Sequence, residues 1–532
     1  TPDGWKDVVQ NERKVFRKAL YHTRMDWVWA EDEALYGLGQ QENGVLNLRG
    51  TRQHVHQANM KIAVPFLVST KGWGLLVDTA SPLIFNDNEH GSYIYTEAAE
   101  ELAYYFIQGE QLDTVIAGYR QLTGRASLLP RWCFGYMQSQ ERYETQEEVL
   151  EIVQEHRKRD LPLDSIVLDW QTWTGEQWGQ KSFDPGRFPE PRAMTDQLHG
   201  MGARLLISIW PNMNPVTADH QELKAKGLLF PKSEIYDAFS SEARKAYWDQ
   251  ADRGLFSQGV DGWWCDSCEP FTPEWNTVVK PEPDKNYLNF HDTARTWMDE
   301  EHTNAYALLH ARAIDEGQRS RTGEKRVVNL IRSCWSGSQR HGVIPWSGDT
   351  SASWKTLKNQ IAAGLNFSAS GIPYWTLDIG AFFVKQGEFW FWDGQYEAGN
   401  QDPAYRELYL RWFQFGAFLP VFRAHGTDTR REIWCFGEKG EVVYDTLAKF
   451  LRLRMSLVPY IYSLAGQATF KDTTLLRLLA FDFAHDTKVH GIRDQFLFGP
   501  AFLVCPVTAP LASNQGVRQV SLPAGHDWWD FW

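Results

Sequence analysis

Up to about residue 118 the chain consists of short, β-rich apolar runs between turn residues. KIAVPFLVST, GWGLLVDTA and YIYTEAAEELAYYFI are examples. Such runs between turn residues predict the strands of a β-sandwich, entered part-way through. After LLPRW (128–132) apolar runs alternate with stretches whose apolar residues recur three and four apart. The runs are CFGYMQS (133–139), DSIVLDW (164–170), RLLISIW (204–210), VDGWWCD (260–266), RVVNLIR (326–332), VIPW (343–346), IPYWT (372–376) and FLPVF (418–422). Helical patterns fall near 240–257, 300–318, 352–364 and 446–463. A T-x-x-E capping box at Thr145 and Glu148 opens another helix, with Val149, Ile152, Val153 and His156 on one face. Strands interleaved with helices predict an α/β protein built on a (β/α)8 TIM barrel, with a doubly wound sheet as the competing arrangement. Beyond about 470 strand and turn signals return in FLFGPAFLVCPV and RQVSLPAG. The expected organisation is therefore an N-terminal β-sandwich over 1–118, the catalytic barrel over 119–470 and a small C-terminal β-domain over 471–532. Both flanking domains read as partial, because the chain opens on TPDGWKDVV without an initiator Met and stops at WWDFW.

Charge narrows the partners. With 54 Lys+Arg against 67 Asp+Glu the net charge is −13, which repels phosphate backbones and anionic membrane surfaces. No run approaches the roughly 18 apolar residues of a membrane span. Neither nucleic acid nor membrane is expected as a partner, and the oligomeric state is not legible. The 25 Trp, 20 Tyr and 30 Phe exceed what a core requires, and flat amphipathic rings suit a pocket that stacks on sugar faces, so the expected partner is an oligosaccharide or glycoside substrate. Six cysteines in apolar stretches are too few for a disulfide framework and read as buried thiols, which favours a cytoplasmic location. Cys265 and Cys268 form a C-x-x-C without a second pair at metal spacing, and His54 and His56 alternate on a strand without a third ligand. No metal and no cofactor are expected.

In a barrel the active site lies where the strands end. The polar residues closing the runs are Asp169, Trp210, Asp266 and Arg332, followed by Asp349, Asp378, Arg423 and His425. Acids at strand ends also serve as helix N-caps, but this many polar ends converging on one mouth point to a site. Paired carboxylates between aromatic walls, without a phosphate-binding glycine loop, suit cleavage of a glycosidic bond: one carboxylate attacks the anomeric carbon and the other protonates the leaving oxygen. Spacing along the sequence leaves retaining and inverting mechanisms both open.

At these residues the chain resembles glycoside hydrolase family 31. DGWWCDSCEP (261–270) is similar to the family's nucleophile block, which places the nucleophile on Asp266 and Trp264 beside it. IRSCWSGSQRHGVIPWSGDTSASW (331–354) resembles the block with the substrate-binding Arg and the acid/base, here Arg332 and Asp349, with Trp346 in the same W-x-G-D element. GIPYWTLDIGAFF (371–383) and FRAHGTDTRREIW (422–434) are similar to later blocks that supply the pocket, falling on Asp378, Phe382 and His425, and YGLGQQENG (36–44) resembles a segment near the pocket. The resemblance implies retaining double displacement on α-linked sugars without metal or organic cofactor. Asp266 must then stay ionised, with Arg332 as its electrostatic partner, and Asp349 must hold a proton, which burial against Trp346 favours. His425 and Asp378 would bond sugar hydroxyls.

Two departures bear on substrate. In VLDWQTW (167–173) Asp169 matches the family's pocket acid, but Gln171 stands where many family α-glucosidases carry a second Asp. The D-W-Q-x-W pattern resembles the bacterial branch with α-xylosidases and α-N-acetylgalactosaminidases. The first expectation is an α-xyloside or α-glucoside, with an α-N-acetylgalactosaminide as the alternative. The other departure is a helical, charged insert (286–325) between the two aspartates, which could shape the leaving-group side. A transglycosylase or lyase on the same scaffold, or a non-catalytic sugar-binding protein, completes the alternatives.

Overall fold

Residues 18–532, apart from Asn276, are described by a computed structural model. Eight strands form two four-stranded antiparallel sheets: β1 (Tyr21–Asp26), β2 (Leu35–Gln40), β3 (Arg52–Val55), β4 (Ile62–Ser69), β5 (Trp73–Val77), β6 (Leu83–Asn88), β7 (Gly91–Ala99) and β8 (Tyr104–Gln108). Their orders are β1-β7-β6-β3 and β2-β4-β5-β8. Alternation explains why β2 and β4 are buried along their whole length. Leu35, Ala63, Leu67 and Leu75 meet Val55, Leu83, Phe85 and Ile94 inside the sandwich. The intervening Tyr36, Ile62, Val64, Phe66 and Val68 join the core of the central domain. The sandwich is thereby fused to the rest of the molecule along a full sheet face. Helix Leu112–Thr123, which runs across residue 118, packs its Val115 and Ile116 into the same core.

The central sheet is parallel and curled, in the order β14-β13-β12-β11-β10-β9-β15. Its strands are β9 (Tyr136–Gln140), β10 (Ser165–Leu168), β11 (Arg204–Ile209), β12 (Gly262–Cys265), β13 (Asn329–Ile331), β14 (Val343–Pro345) and β15 (Phe422–Ala424). The eighth position is filled by 372–379, which closes the ring through single parallel bridges, Trp346 to Thr376 and Ile379 to Ala424. IPYWT thus reaches strand position without a regular ladder, because Pro373 has no N–H to contribute. The fold is a (β/α)8 TIM barrel flanked by N-terminal antiparallel sheets and a small C-terminal β-domain of β16 (Leu476–Leu478), β17 (Phe496–Phe498) and β18 (Phe502–Val504).

Two other strands are displaced from their sequence patterns. Arg131–Phe134 make a 3-10 turn, so the first barrel strand starts at Tyr136. At the other end Phe418 and Leu419 close the turn after helix Pro403–Gly416, Pro420 lacks a ladder donor, and the last strand begins at Phe422. Thr145 caps helix Gln146–Lys158 by accepting from the Glu148 N–H, while the Glu148 carboxylate accepts from the Glu144 N–H, one residue outside the expected box. No helix among the described residues is long and apolar enough to cross a membrane.

Candidate active site

Carboxylates and cations converge at the carboxyl ends of the barrel strands because they sit at or just past the end of short buried strands. Asp266 comes directly after β12, and its N–H donates to Ile209 O of the adjacent β11. Its Oδ1 accepts from the Ser267 N–H at 2.6 Å. Arg332, directly after β13, extends Nη1 to 3.1 Å from Asp266 Oδ1 and equally 3.1 Å from Asp349 Oδ2. Its Nε donates to Glu269 Oε1 at 2.7 Å. One guanidinium therefore holds three carboxylates, of which Glu269 is fully buried. Two oxygens within 3.1 Å of a single nitrogen lie at most twice that distance apart, which is compatible with the about 5–5.5 Å between the carboxyl groups of retaining glycosidases.

Burial raises both aspartates, Asp266 up to about 7; Arg332 pulls each back down, while their mutual repulsion and Glu269 add to the rise. Three carboxylates around one buried cation cannot all stay ionised cheaply, so the pair is set to share a proton. Asn59 grips Asp349 from the N-terminal domain: its Nδ2 donates to Asp349 Oδ2 at 2.8 Å and its Oδ1 accepts from the Asp349 N–H at 3.0 Å.

A second group stands beside the first. Buried Asp378 pairs with Arg423 of β15. Burial lifts its carboxyl to about 6 against the pull of Arg423. The Arg423 guanidinium lies 4.7 Å from the Trp264 ring, which meets Trp346 edge-on at 5.1 Å. His425 accepts or donates at Nδ1 to Ser139 Oγ at 2.7 Å, and its Nε2 is 3.6 Å from Asp169 Oδ2. Burial depresses the imidazole well below its ordinary range, and nearby Arg423 and Arg431 add to this, so it is neutral. Burial likewise raises Asp169, reinforced by Glu141, Asp266 and Asp349. Trp264 packs edge-on against His425 at 4.5 Å and Phe382 stacks on it at 5.4 Å. The indole N–H groups of Trp210, Trp264 and Trp346 and the Oδ2 of Asp378 are buried without a protein partner.

Trp210 belongs to an aromatic wall, edge-on to Trp178 at 4.6 Å, with Trp178 tilted on Trp170 at 4.8 Å. Gln171 lies in the loop beneath this wall. Its Nε2 donates to Gly175 O at 2.6 Å, so the amide braces its own loop. Distances thus tie together Asp266, Asp349 and Arg332, and separately Asp378, Trp264, Trp346, Phe382, His425 and Asp169; Gln171 and Trp210 join through the loop and its tryptophans. Glu269, Asn59 and Ser139 were not among the expected site residues. Glu269 sits inside the nucleophile motif and Ser139 near the end of the first barrel strand, so both had a local signal, whereas Asn59 had none.

The other polar groups of the sequence are packed into the structure. His54 bonds Asp284 at 2.5 Å, and His54 and His56 flank Tyr287. Cys265 and Cys268 are free and buried. Among the described residues, the carboxylates and imidazole of Asp299, Glu301 and His302 lie close enough together to hold an ion, and none of these is a site residue.

Comparison with known proteins gives the family. Residues 126–464 match the glycosyl hydrolases family 31 TIM-barrel domain and residues 472–532 the family's C-terminal domain. The alpha-xylosidase of Saccharolobus solfataricus is 39% identical over 525 residues, covering 97% of this chain and 68% of that one. The crystal structure of the family 31 alpha-xylosidase from Xanthomonas citri superposes with a TM-score of 0.85 at 31% identity, over 95% of this chain and 73% of that one. That of an alpha-xylosidase from a soil metagenome, complexed with xylose, gives 0.79 at 32% identity, over 92% and 73%. A barrel with paired carboxylates on one guanidinium, matched along nearly its whole length, places the chain in glycoside hydrolase family 31, as a retaining α-glycosidase.

Proposed function

We propose that the protein removes a terminal α-linked xylose from a glycoside or oligosaccharide, with an α-glucoside as the next best substrate, and that Asp266 and Asp349 carry the reaction. Asp266 attacks the anomeric carbon through Oδ2, since Oδ1 is engaged by the Ser267 N–H and Arg332. Asp349 gives its proton to the glycosidic oxygen as the carbon–oxygen bond breaks. In the second half Asp349, now ionised, takes a proton from water, the water oxygen attacks the anomeric carbon, and Asp266 leaves as carboxylate. Asp378, His425 and Asp169 hold the sugar hydroxyls against Trp264, Trp346 and Phe382. The observation that carries this reading is the single Arg332 nitrogen shared by the two aspartates, which holds them close together and lets one be ionised while the other is protonated.

Likeness to proteins named alpha-xylosidases over nearly the whole chain supports xylose. So does Gln171: a neutral amide spent on its own loop offers less to the outer hydroxyls of glucose than a carboxylate would. A panel of aryl α-glycosides of xylose, glucose, galactose and N-acetylgalactosamine tests the assignment, with products weighed by mass spectrometry. The α-xyloside should have the highest kcat/KM and yield free xylose, one water heavier than the glycosyl residue. A galactoside or N-acetylgalactosaminide as best substrate, an unsaturated sugar, or a lengthened oligosaccharide would contradict it.

A further inference from the structure

Asn59 lies at the tip of the tight turn between β3 and β4, where Ala58 and Lys61 pair as an antiparallel bridge. It is buried, and both ends of its side chain are spent on one residue, Asp349. The orientation of the amide is dictated by chemistry. The Asp349 backbone N–H can only donate, so the end of Asn59 that meets it is the oxygen, and the end that meets the Asp349 carboxylate is the NH2 group. Asp349 Oδ2 accordingly receives two donors, Asn59 Nδ2 and Arg332 Nη1. A carboxyl oxygen that already accepts from two N–H donors is the poorer place for the proton, which favours the other oxygen.

The turn is itself fixed. Gln40, fully buried on β2, donates from Nε2 to both Met60 O at 2.9 Å and Ser347 O at 3.0 Å, while its Oε1 accepts from Trp375 Nε1 at 2.9 Å. Gly348 completes the contact. At φ +81°, an added Cβ there would fall 2.4 Å from Asn59 Oδ1 and 2.5 Å from Met60 N. The sandwich domain and the loop bearing Asp349 are thus laced together by Gln40 and Asn59 over a glycine.

Resting on the assignment of Asp349 as acid/base, we propose that Asn59 is a positioning residue that selects which oxygen of that acid works. Oδ2 is held as an acceptor, so the proton resides on Oδ1, leaves it for the glycosidic oxygen as the bond breaks, and returns to it from water in the second step. The N-terminal domain thereby completes the acid of the barrel. A donor aimed at the ionised form also holds the carboxyl lower than burial alone would, together with Arg332 and against the surrounding carboxylates Asp266, Glu269, Glu141, Asp169 and Asp378, whose charges push it up.

Asn59→Ala and Asn59→Asp test this in the full chain, with two aryl xylosides, one with a good and one with a poor leaving group. The poor leaving group needs the proton and should slow by about tenfold or more, the worth of a hydrogen bond to a charged group, while the good one changes far less. Loss of the donor should also move the basic limb of kcat/KM upward by about one pH unit, because the ionised form has lost support. The ratio between two substrates in one sample does not depend on how much of the variant is folded. Equal slowing of both substrates, or an unmoved limb, would overturn the proposal. Asp349→Ala with azide serves as the control. If azide restores turnover and yields xylosyl azide while the Asn59 variants slow both substrates equally, the acid assignment stands and only the role of Asn59 falls. If azide yields nothing, the acid assignment falls and the proposal with it.

Discussion

Arg332 is one positive charge among three carboxylates, and that imbalance governs how the site titrates. Burial raises both Asp266, to about 7, and Asp349 above an ordinary value near 4, so between those pH values the folded pair holds a shared proton that the unfolded chain has released, and Asp349 carries it when Asp266 attacks. More protons bound in the folded state means that this contribution to stability is present at low pH and lost as pH rises through about 7. Asp266→Asn removes the titration and the charge, so thermal unfolding should show the variant stabilised at pH 8, by about 1–3 kcal/mol, with the gain shrinking towards pH 4. An equal difference at both pH values would contradict the shared-proton account. Gln171 offers a second test: Gln171→Asp should raise the glucoside-to-xyloside ratio of kcat/KM, and an unchanged ratio means that the side chain serves only the loop brace to Gly175. At this scale the sequence spoke clearly where function sits in a local motif. The cluster of Asp266, Asp349 and Arg332 was legible because Asp266 and Arg332 directly follow strands and Asp349 lies just past one, each within a distinctive string. Asn59 was not, since its partner is 290 positions away and its neighbours form an unremarkable turn.

Among the elements, the barrel strands are short, three to six residues, and the residues just beyond each strand's carboxyl end matter more than the strand itself. The pattern of apolar runs located every strand position but missed where regular pairing begins, because backbone donors rather than side-chain polarity decide this. Pro373 and Pro420 remove N–H groups, and Gly135 sits so close to the Asp164 carboxylate that an added Cβ would lie 1.8 Å from it. The same dependence on backbone room appears at Gly348. Gly348→Ala must shift either its own turn or the Asn59–Met60 turn, at a left-handed φ that already disfavours a side chain. The expected result is a fall in kcat of at least about tenfold with KM little changed, since the displaced group acts in the reaction more than in binding. Full activity with an intact fold would show that the contact between the two loops is dispensable.

For the whole molecule, the sandwich and the barrel share one core, and the active site uses both. Sheet β2-β4-β5-β8 buries its second face against helix Trp354–Ala369, with Asn366 Oδ1 accepting from the Gly37 N–H and Ser370 Oγ accepting from the Gly39 N–H. Tyr36, Val64 and Phe66 pack into the barrel core between these bonds. Continuous burial of β2 and β4 was visible in the sequence only as apolar richness, because a strand buried on both faces loses the alternation that marks a face. The net charge of −13 and the wealth of aromatic rings pointed to a neutral, ring-shaped ligand, in keeping with the tryptophan-lined site. A sequence-local view would assign the chemistry to the barrel alone, whereas Gln40 and Asn59 tie it to the preceding domain.

The claim on which the rest depends is that Asp266 forms the covalent bond to the sugar. Incubation with a 5-fluoro-α-xylosyl fluoride, whose fluorine slows the second step more than the first, should inactivate the enzyme and add one fluoroxylosyl group. Peptide mass spectrometry should place that group on the segment containing Asp266 and, after fragmentation, on its carboxylate. A label on any other residue, or inactivation without a covalent adduct, would contradict the account.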